Sequence, residues 1–307
     1  MGRGLSFDHA ALRAAYEAAP GGSPTAKMKA AAASSRCSFG TMQRAVKGRG
    51  ADASSTSPRG PAPLGGTKRA TVLPVGHPAT MEARTIFPTM VFDVGKEWLL
   101  KSGDHSAKIG RVVTKGCWKG FPIYTLTLEE RATCPTSCRH WSSCFGNNTP
   151  FARRWRPGEA LEWRLPREIA ALELEHPKGF ACRLHNLGDF YSVAYVDLWR
   201  RLLEQHRALH AFGFTARIDT MDDEIAYAVA VLVRDYWTRC DPPRFAIRFS
   251  NAPVFSRSTV TLESPVQKPA DATICPMQWT PGGKKAQSCG SCALCWQSTR
   301  RIGFLQH

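Results

Sequence analysis

The chain has 307 residues, 43% hydrophobic and 10% aromatic, with 41 Lys+Arg against 25 Asp+Glu and a net charge of +16. That apolar content excludes a chain disordered throughout, and the length suits one large domain or two modest ones. No apolar run approaches the roughly eighteen residues of a membrane span and no apolar signal region opens the sequence, so a cytoplasmic protein without membrane contact is expected.

Residues 1–85 hold twelve Lys/Arg and four Asp/Glu, which is half of the net charge. Three short helices are predicted there. The first, 7–19, repeats Leu12, Ala15 and Tyr16 at helical spacing. The second, 23–33, opens with Ser23 as cap and Pro24 in the first turn, and the third, 38–48, carries Met42 and Val46. The close succession of the last two reads as a helix-turn-helix, with Thr41, Gln43 and Arg44 toward a nucleic-acid groove and Lys47 toward a phosphate. A small basic helical appendage or a disordered arm is the alternative. Residues 49–70 are rich in Gly, Ser and Pro, with Leu64 the one large apolar residue. That is linker composition, extended here to about residue 85. The expected division is therefore 1–48, 49–85 and 86–307.

Beyond residue 86, strands are predicted at 121–128, 180–187, 212–218, 245–250 and 272–275. Helices are predicted at 158–175 (interrupted near Pro166), 192–209 and 221–237. Alternating strand and helix implies an α/β fold with a mostly parallel sheet or barrel. Period-two alternation pairs Arg183 with His185, Thr215 with Arg217, and Arg248 with Ser250, each pair toward the C-terminal end of its strand. Sites in parallel α/β folds lie at those ends.

Eleven cysteines in a reducing compartment point to metal or catalysis before disulfides. Cys134, Cys138 and Cys144 follow the first of these strands. Cys289, Cys292 and Cys295 follow one another at x2 spacing, with Cys275 as a distant fourth. Three close thiolates plus one remote suit a 4Fe–4S cluster, and zinc is the alternative. The triad leaves one iron of such a cluster without a protein thiolate, unless His140 or Cys117 closes it. Trp141 and Phe145 are expected to shield that cluster from water and tune its potential. Cys37, Cys182 and Cys240 read as ordinary packed residues.

The stretches LTLEERATCPTSCRHWSSCFGNN, RLHNLGDFYSVAYVDLW, FTAR and ICPMQW…CGSCALCW together resemble the gene-product-eighty-eight-type proteins of phages and proteobacteria over roughly residues 90–307. Their order also resembles the radical SAM superfamily, with a cysteine triad after the first strand and Gly188-Asp189-Phe190-Tyr191-Ser192 at the second. The triad departs from that pattern, because its second gap is x5 and Phe145 follows its last cysteine. The resemblance implies a TIM-like βα barrel, complete or partial, with a cysteine-rich C-terminal extension. It implies one or two 4Fe–4S clusters held by Cys134, Cys138, Cys144, Cys275, Cys289, Cys292 and Cys295. It further implies S-adenosylmethionine at the triad, its amine near Gly188 and Asp189 and its carboxylate near Arg217 or Arg248. Catalytic roles are expected for Asp189, Arg183, His185, Arg217 and Arg248, with Ser250 among the cofactor-binding residues. An electron donor is an expected partner, and nucleic acid another, through residues 1–85. A non-enzymatic DNA-binding or redox-sensing protein with structural iron–sulfur or zinc sites is the competing reading.

Overall fold

The computed structural model describes residues 8–35, 37, 39–46, 71–218, 221–252, 257–278 and 287–306. They fall into two units, Met1–Ala62 and Pro63–His307. No helix among the described residues is long and apolar enough to cross a membrane.

The first unit holds α1 (His9–Ala18), α2 (Pro24–Ser34) and α3 (Phe39–Val46). Asp8 caps α1, accepting from the Ala10 amide at 2.8 Å, and Ser23 caps α2, as its position before Pro24 predicts. Leu12, Met28, Ala31, Ala32, Met42 and Ala45 form one small core, so the three helices pack on one another. Arg13 donates from Nε to the Ala45 carbonyl at 2.7 Å, joining α1 to α3. Lys47 and the side chains of Gln43 and Arg44, assigned above to a groove, lie outside the described residues.

The second unit is mixed α/β. It begins with α4 (Pro78–Met81), β1 (Val91–Phe92), β2 (Lys101–Ser102), β3 (Ile123–Thr125) and β4 (Arg154–Trp155). It continues through α5 (Glu159–Glu175), β5 (Phe180–Leu184), α6 (Val193–Gln205), β6 (Leu209–Thr215), α7 (Glu224–Val233) and β7 (Phe245–Phe249). It ends with β8 (Thr259–Leu262), β9 (Ala272–Ile274), α8 (Cys289–Cys292), α9 (Leu294–Gln297) and β10 (Arg301–Leu305). The main sheet has the order β2-β3-β5-β6-β7, antiparallel only at β2–β3. A parallel sheet β8-β10-β9 continues from it through the Ser250–Thr259 bridge, and β1 pairs with β4. Among the described residues these three sheets do not close into a barrel.

Strands that advance in one direction through helical crossovers of one hand place their helices on one face. The packing agrees. Phe180, Cys182, Leu184, Leu209, Ala211, Phe245 and Ile247 share a core with α5, α6 and α7. The alternate residues Ala181, Phe212 and Ala246 face the other way, into a second core with Trp118, Trp237, Ala293 and Trp296. The inner face of the sheet is thus covered by the cysteine-bearing α8–α9 segment.

Three expectations change. Helix α5 runs unbroken through Pro166, because Leu161, Leu165, Ile169 and Leu172 give it a continuous buried stripe. That burial outweighs the amide lost at proline. Strands β8 and β10 were not foreseen, since TVTL and RIGFL are too short for a pattern to show. Residues 71–85, read as linker, instead pack on the first cysteine loop. Leu73 N–H donates to the Ser142 carbonyl at 3.0 Å, and fully buried Thr85 donates to Glu130 at 2.7 Å.

Candidate functional site

Two cysteine-bearing segments meet the main sheet in different places. The first leaves the C-terminal end of β3. Its run Glu129-Glu130-Arg131 is buried, where three successive charges on a loop ordinarily face water. Glu130 and Arg154 form a bidentate pair at 2.7 and 3.0 Å, both side chains essentially without solvent exposure. Arg131 donates to the Trp141 carbonyl at 2.9 Å and to Asn147 Oδ1 at 2.7 Å, and Asn147 in turn donates to Thr71 and Ser142 carbonyls. This network fixes residues 129–149 as a rigid loop. None of Glu129, Glu130, Arg131, Asn147 or Arg154 was singled out from the sequence; the only signal was charge adjoining Cys134.

Within that loop Cys134, Cys138 and Cys144 are mutual electrostatic neighbours. Burial pushes the Cys134 and Cys138 thiols up, and the nearby Asp189 carboxylate adds to both. Burial also raises Cys144 to about 11, with Glu130 adding and Arg131 opposing. Burial is the leading cause in each case, because it disfavours the charged thiolate. Thiols held so far above neutrality stay protonated until a metal draws the proton off.

Asp189 reaches this loop from the turn after β5. Gly188 there has φ +84°, and a Cβ on it would lie 2.6 Å from Thr133 Oγ1, so only glycine allows the approach. The Asp189 amide donates to Thr133 Oγ1 at 3.0 Å. Its carboxylate accepts from the Phe190 amide at 2.8 Å and the Ala216 amide at 2.7 Å. Burial raises it to about 6, while those hydrogen bonds act against the shift. Asp189 therefore joins the ends of β5 and β6 beside the triad.

The second segment crosses the inner face of the sheet. Ser288 caps α8, the Cys289 amide donates to the Lys108 carbonyl at 2.7 Å, and the Gly290 amide donates to Ile109 at 3.0 Å. A Cβ at Gly290 would overlap the Val112 carbonyl, which explains the glycine in this CGSC run. Ala293, buried and at φ 63°, turns the chain between α8 and α9. Cys275, Cys289, Cys292 and Cys295 then line one pocket together with Met277, Gln287, Ser288, Ala293 and Leu294. Trp296 stacks on Trp118 with centroids 4.8 Å apart and meets Phe212 at 4.6 Å, walling the pocket from the sheet side.

Arg248 on β7 and Arg183 on β5 rise toward this segment from the inner face, on either side of β6. Fully buried Arg248 donates to the carbonyls of Leu294 (3.2 Å), Cys295 (2.9 Å), Arg300 (2.9 Å) and Ser298. It organises the second segment, so its expected role at the triad gives way to one as a carbonyl clamp. The Arg183 guanidinium lies 4.7 Å from the Phe214 ring, and Cys289 and Cys295 are the thiols that act on its charge.

The other predicted residues separate. His185 does not share the Arg183 face: its φ of +31° breaks the alternation, and Nε2 lies 3.1 Å from Tyr195 Oη on α6. Arg217 donates to the Phe190 carbonyl at 2.6 Å and pairs with Asp223 at 2.7 Å. Ser250 contributes backbone, donating to Thr215 and bridging to Thr259. His140 lies within 3.3 Å of Ser143 Oγ and 3.4 Å of Thr261 Oγ1. Cys117 is exposed, with Asp241 as its charged neighbour. Trp141 donates to the Thr80 carbonyl at 3.1 Å, and Phe145 is 50% exposed. Cys182 is buried on the helix face of the sheet, as read.

Among the described residues no group of three or more His, Cys, Asp or Glu side chains is arranged to hold a metal ion. The fit to a metal group rests on donor chemistry. Seven thiols in two neighbourhoods form soft donor sets, suited to zinc or iron–sulfur rather than to hard oxygen-preferring cations. No family model, curated protein or solved structure matches the chain.

Proposed function

We propose that this chain is an iron–sulfur protein of radical SAM type, with the triad loop as its reactive site and the C-terminal cysteines as a second cluster site. The observation that carries this reading is that one loop after β3 holds Cys134, Cys138 and Cys144 within electrostatic reach of one another, with Asp189 acting on the first two, at the C-terminal edge of the parallel strands. That edge is where parallel α/β folds bind ligands. Three thiols are one short of a full set of cluster ligands, which leaves a coordination position for a small molecule. A 4Fe–4S cluster bound there with S-adenosylmethionine supplies one-electron reductive chemistry. The chain's own part is to hold the thiols on a rigid loop through Glu130, Arg131 and Arg154, and to keep a carboxylate, Asp189, facing them. Seen this way, the four-stranded parallel array is a partial barrel whose inner face is closed by the second cysteine segment.

Anaerobic purification with iron, sulfide and zinc analysis tests the reading. About eight irons per chain supports two cubanes, and zinc without iron refutes it. Loss of S-adenosylmethionine turnover in Cys138→Ala is the further expectation.

The three-helix unit favours a second role, contact with nucleic acid, because residues 1–62 carry nine Lys/Arg against three Asp/Glu. Affinity for duplex DNA that falls steeply with salt and is lost on deleting that segment supports it. Affinity unchanged by the deletion rejects it.

A further inference from the structure

The two cysteine sites sit in unlike electrostatic surroundings. Around the C-terminal site the charged neighbours other than the thiols themselves are cations: Arg183 and Lys108 at Cys289, Lys115 at Cys292, and Arg248 at Cys295. Among the described residues none of Lys108, Arg183 and Arg248 forms an ion pair with a carboxylate. Hydrogen bonds and ring contacts fix their placement. Arg248 donates to the Cys295 carbonyl. The Lys108 carbonyl holds the Cys289 amide, while its ammonium lies 5.8 Å from the Phe304 ring and 5.9 Å from Phe145. Arg183 stands over Phe214 and Phe212, and Phe212 touches Trp296, the neighbour of Cys295.

Around the triad carboxylates take part as well. Asp189 acts on Cys134 and Cys138 and Glu130 on Cys144, Arg131 opposes them at Cys138 and Cys144, and Glu130 is itself paired with Arg154. Arg248 is fully buried, and Arg183 and Lys108 are half-buried; cations withdrawn from water without counter-ions are costly unless an anion meets them. A thiolate-ligated cluster is such an anion, and it becomes more negative on reduction. Cations beside it therefore favour the reduced state, and the effect is strong where water is excluded.

We propose that Arg183 and Lys108 tune the C-terminal cysteine site to a higher reduction potential than the triad site, so that one electron shared between them rests at the C-terminal site, leaving the triad site oxidised. This rests on the iron–sulfur reading above. It makes the C-terminal site an electron acceptor relative to the triad rather than its donor.

The test uses the full chain, reconstituted anaerobically with ferrous iron and sulfide and titrated potentiometrically by absorbance and electron paramagnetic resonance. A variant with Cys134, Cys138 and Cys144 all changed to Ala isolates the C-terminal signal. A variant with Cys289, Cys292 and Cys295 all changed to Ala isolates the other. The C-terminal midpoint is expected above the triad midpoint, lowered by Arg183→Gln, largely retained in Arg183→Lys, and the triad midpoint should not follow. Should Arg183→Gln fail to fold, Lys108→Gln at its half-buried position is expected to lower the same midpoint. A C-terminal midpoint at or below that of the triad, or one unmoved by loss of the cation, overturns the inference while leaving the iron–sulfur reading intact. A chain that takes up no iron removes that reading, and the inference with it.

Discussion

Glu130 and Arg154 hold the triad loop through a buried ion pair, whereas Arg248 holds the C-terminal cysteines through carbonyls alone. The first arrangement pairs charge with charge, and its loop is a self-contained polar cage. The second spends one unpaired cation on the carbonyls of α9 and of the turn that follows it, where partial negative charge collects. The difference teaches that a loop can be rigid without leaving a field behind it, while a clamp made of one ion leaves its full charge near the thiols it positions.

Removing one member of each device is the sharpest way to break this contrast. Glu130→Ala strands Arg154 in the interior, and a fall in unfolding free energy of about 3–5 kcal/mol is expected from chemical denaturation. Arg248→Met leaves four carbonyls without their donor but no buried charge, so its cost should be smaller, at roughly 1–3 kcal/mol. Equal losses would mean that charge plays no part in the distinction.

A pH titration probes the inner face beneath the C-terminal segment. Buried His210 lies 5.2 Å from the Trp118 ring and 4.8 Å from Phe121, and burial lowers it to about 4. Its folded form resists the proton that the unfolded chain accepts near 6.5. Stability is thus fully present above that value and declines as pH falls from about 6.5 toward 4. The amount at stake is on the order of 3 kcal/mol. His210→Gln should flatten this part of the stability profile, and an unchanged slope would contradict the assignment.

The smallest expected effect is at the turn beside the triad. Gly188→Ala forces a Cβ toward Thr133 at positive φ, for roughly 1–3 kcal/mol. It should loosen the triad loop and leave the C-terminal segment unchanged, as hydrogen exchange of residues 129–149 against 289–296 would report.

Much of this was legible in the sequence. Helices at 9–18, 24–34, 159–175 and 193–205 followed from caps and apolar spacing, and the parallel order from alternation with strands. The two cysteine groups were visible from spacing alone. Arg183, Arg248 and Ser250 were correctly placed near strand ends, but period-two alternation could not say what stands opposite them. What covers the inner face depends on contacts between Arg248 and residues around 294–300, some fifty positions away, which no local pattern encodes. His185 failed for a local reason, a positive φ that reverses its side. The Glu129–Arg131 run was missed because buried charge looks like surface charge until its partner Arg154 is known.

Because α5, α6 and α7 all lie on one face, the opposite face is covered only in part, by Ile109, Val113, Trp118 and Trp237, until α8 and α9 are made. During synthesis the four parallel strands can pair while Trp118, Phe212 and Ala246 still face solvent. The nascent chain therefore passes through a stage with an exposed aromatic surface, prone to self-association. Docking of the C-terminal cysteines is at once the completion of the core and the end of that hazard.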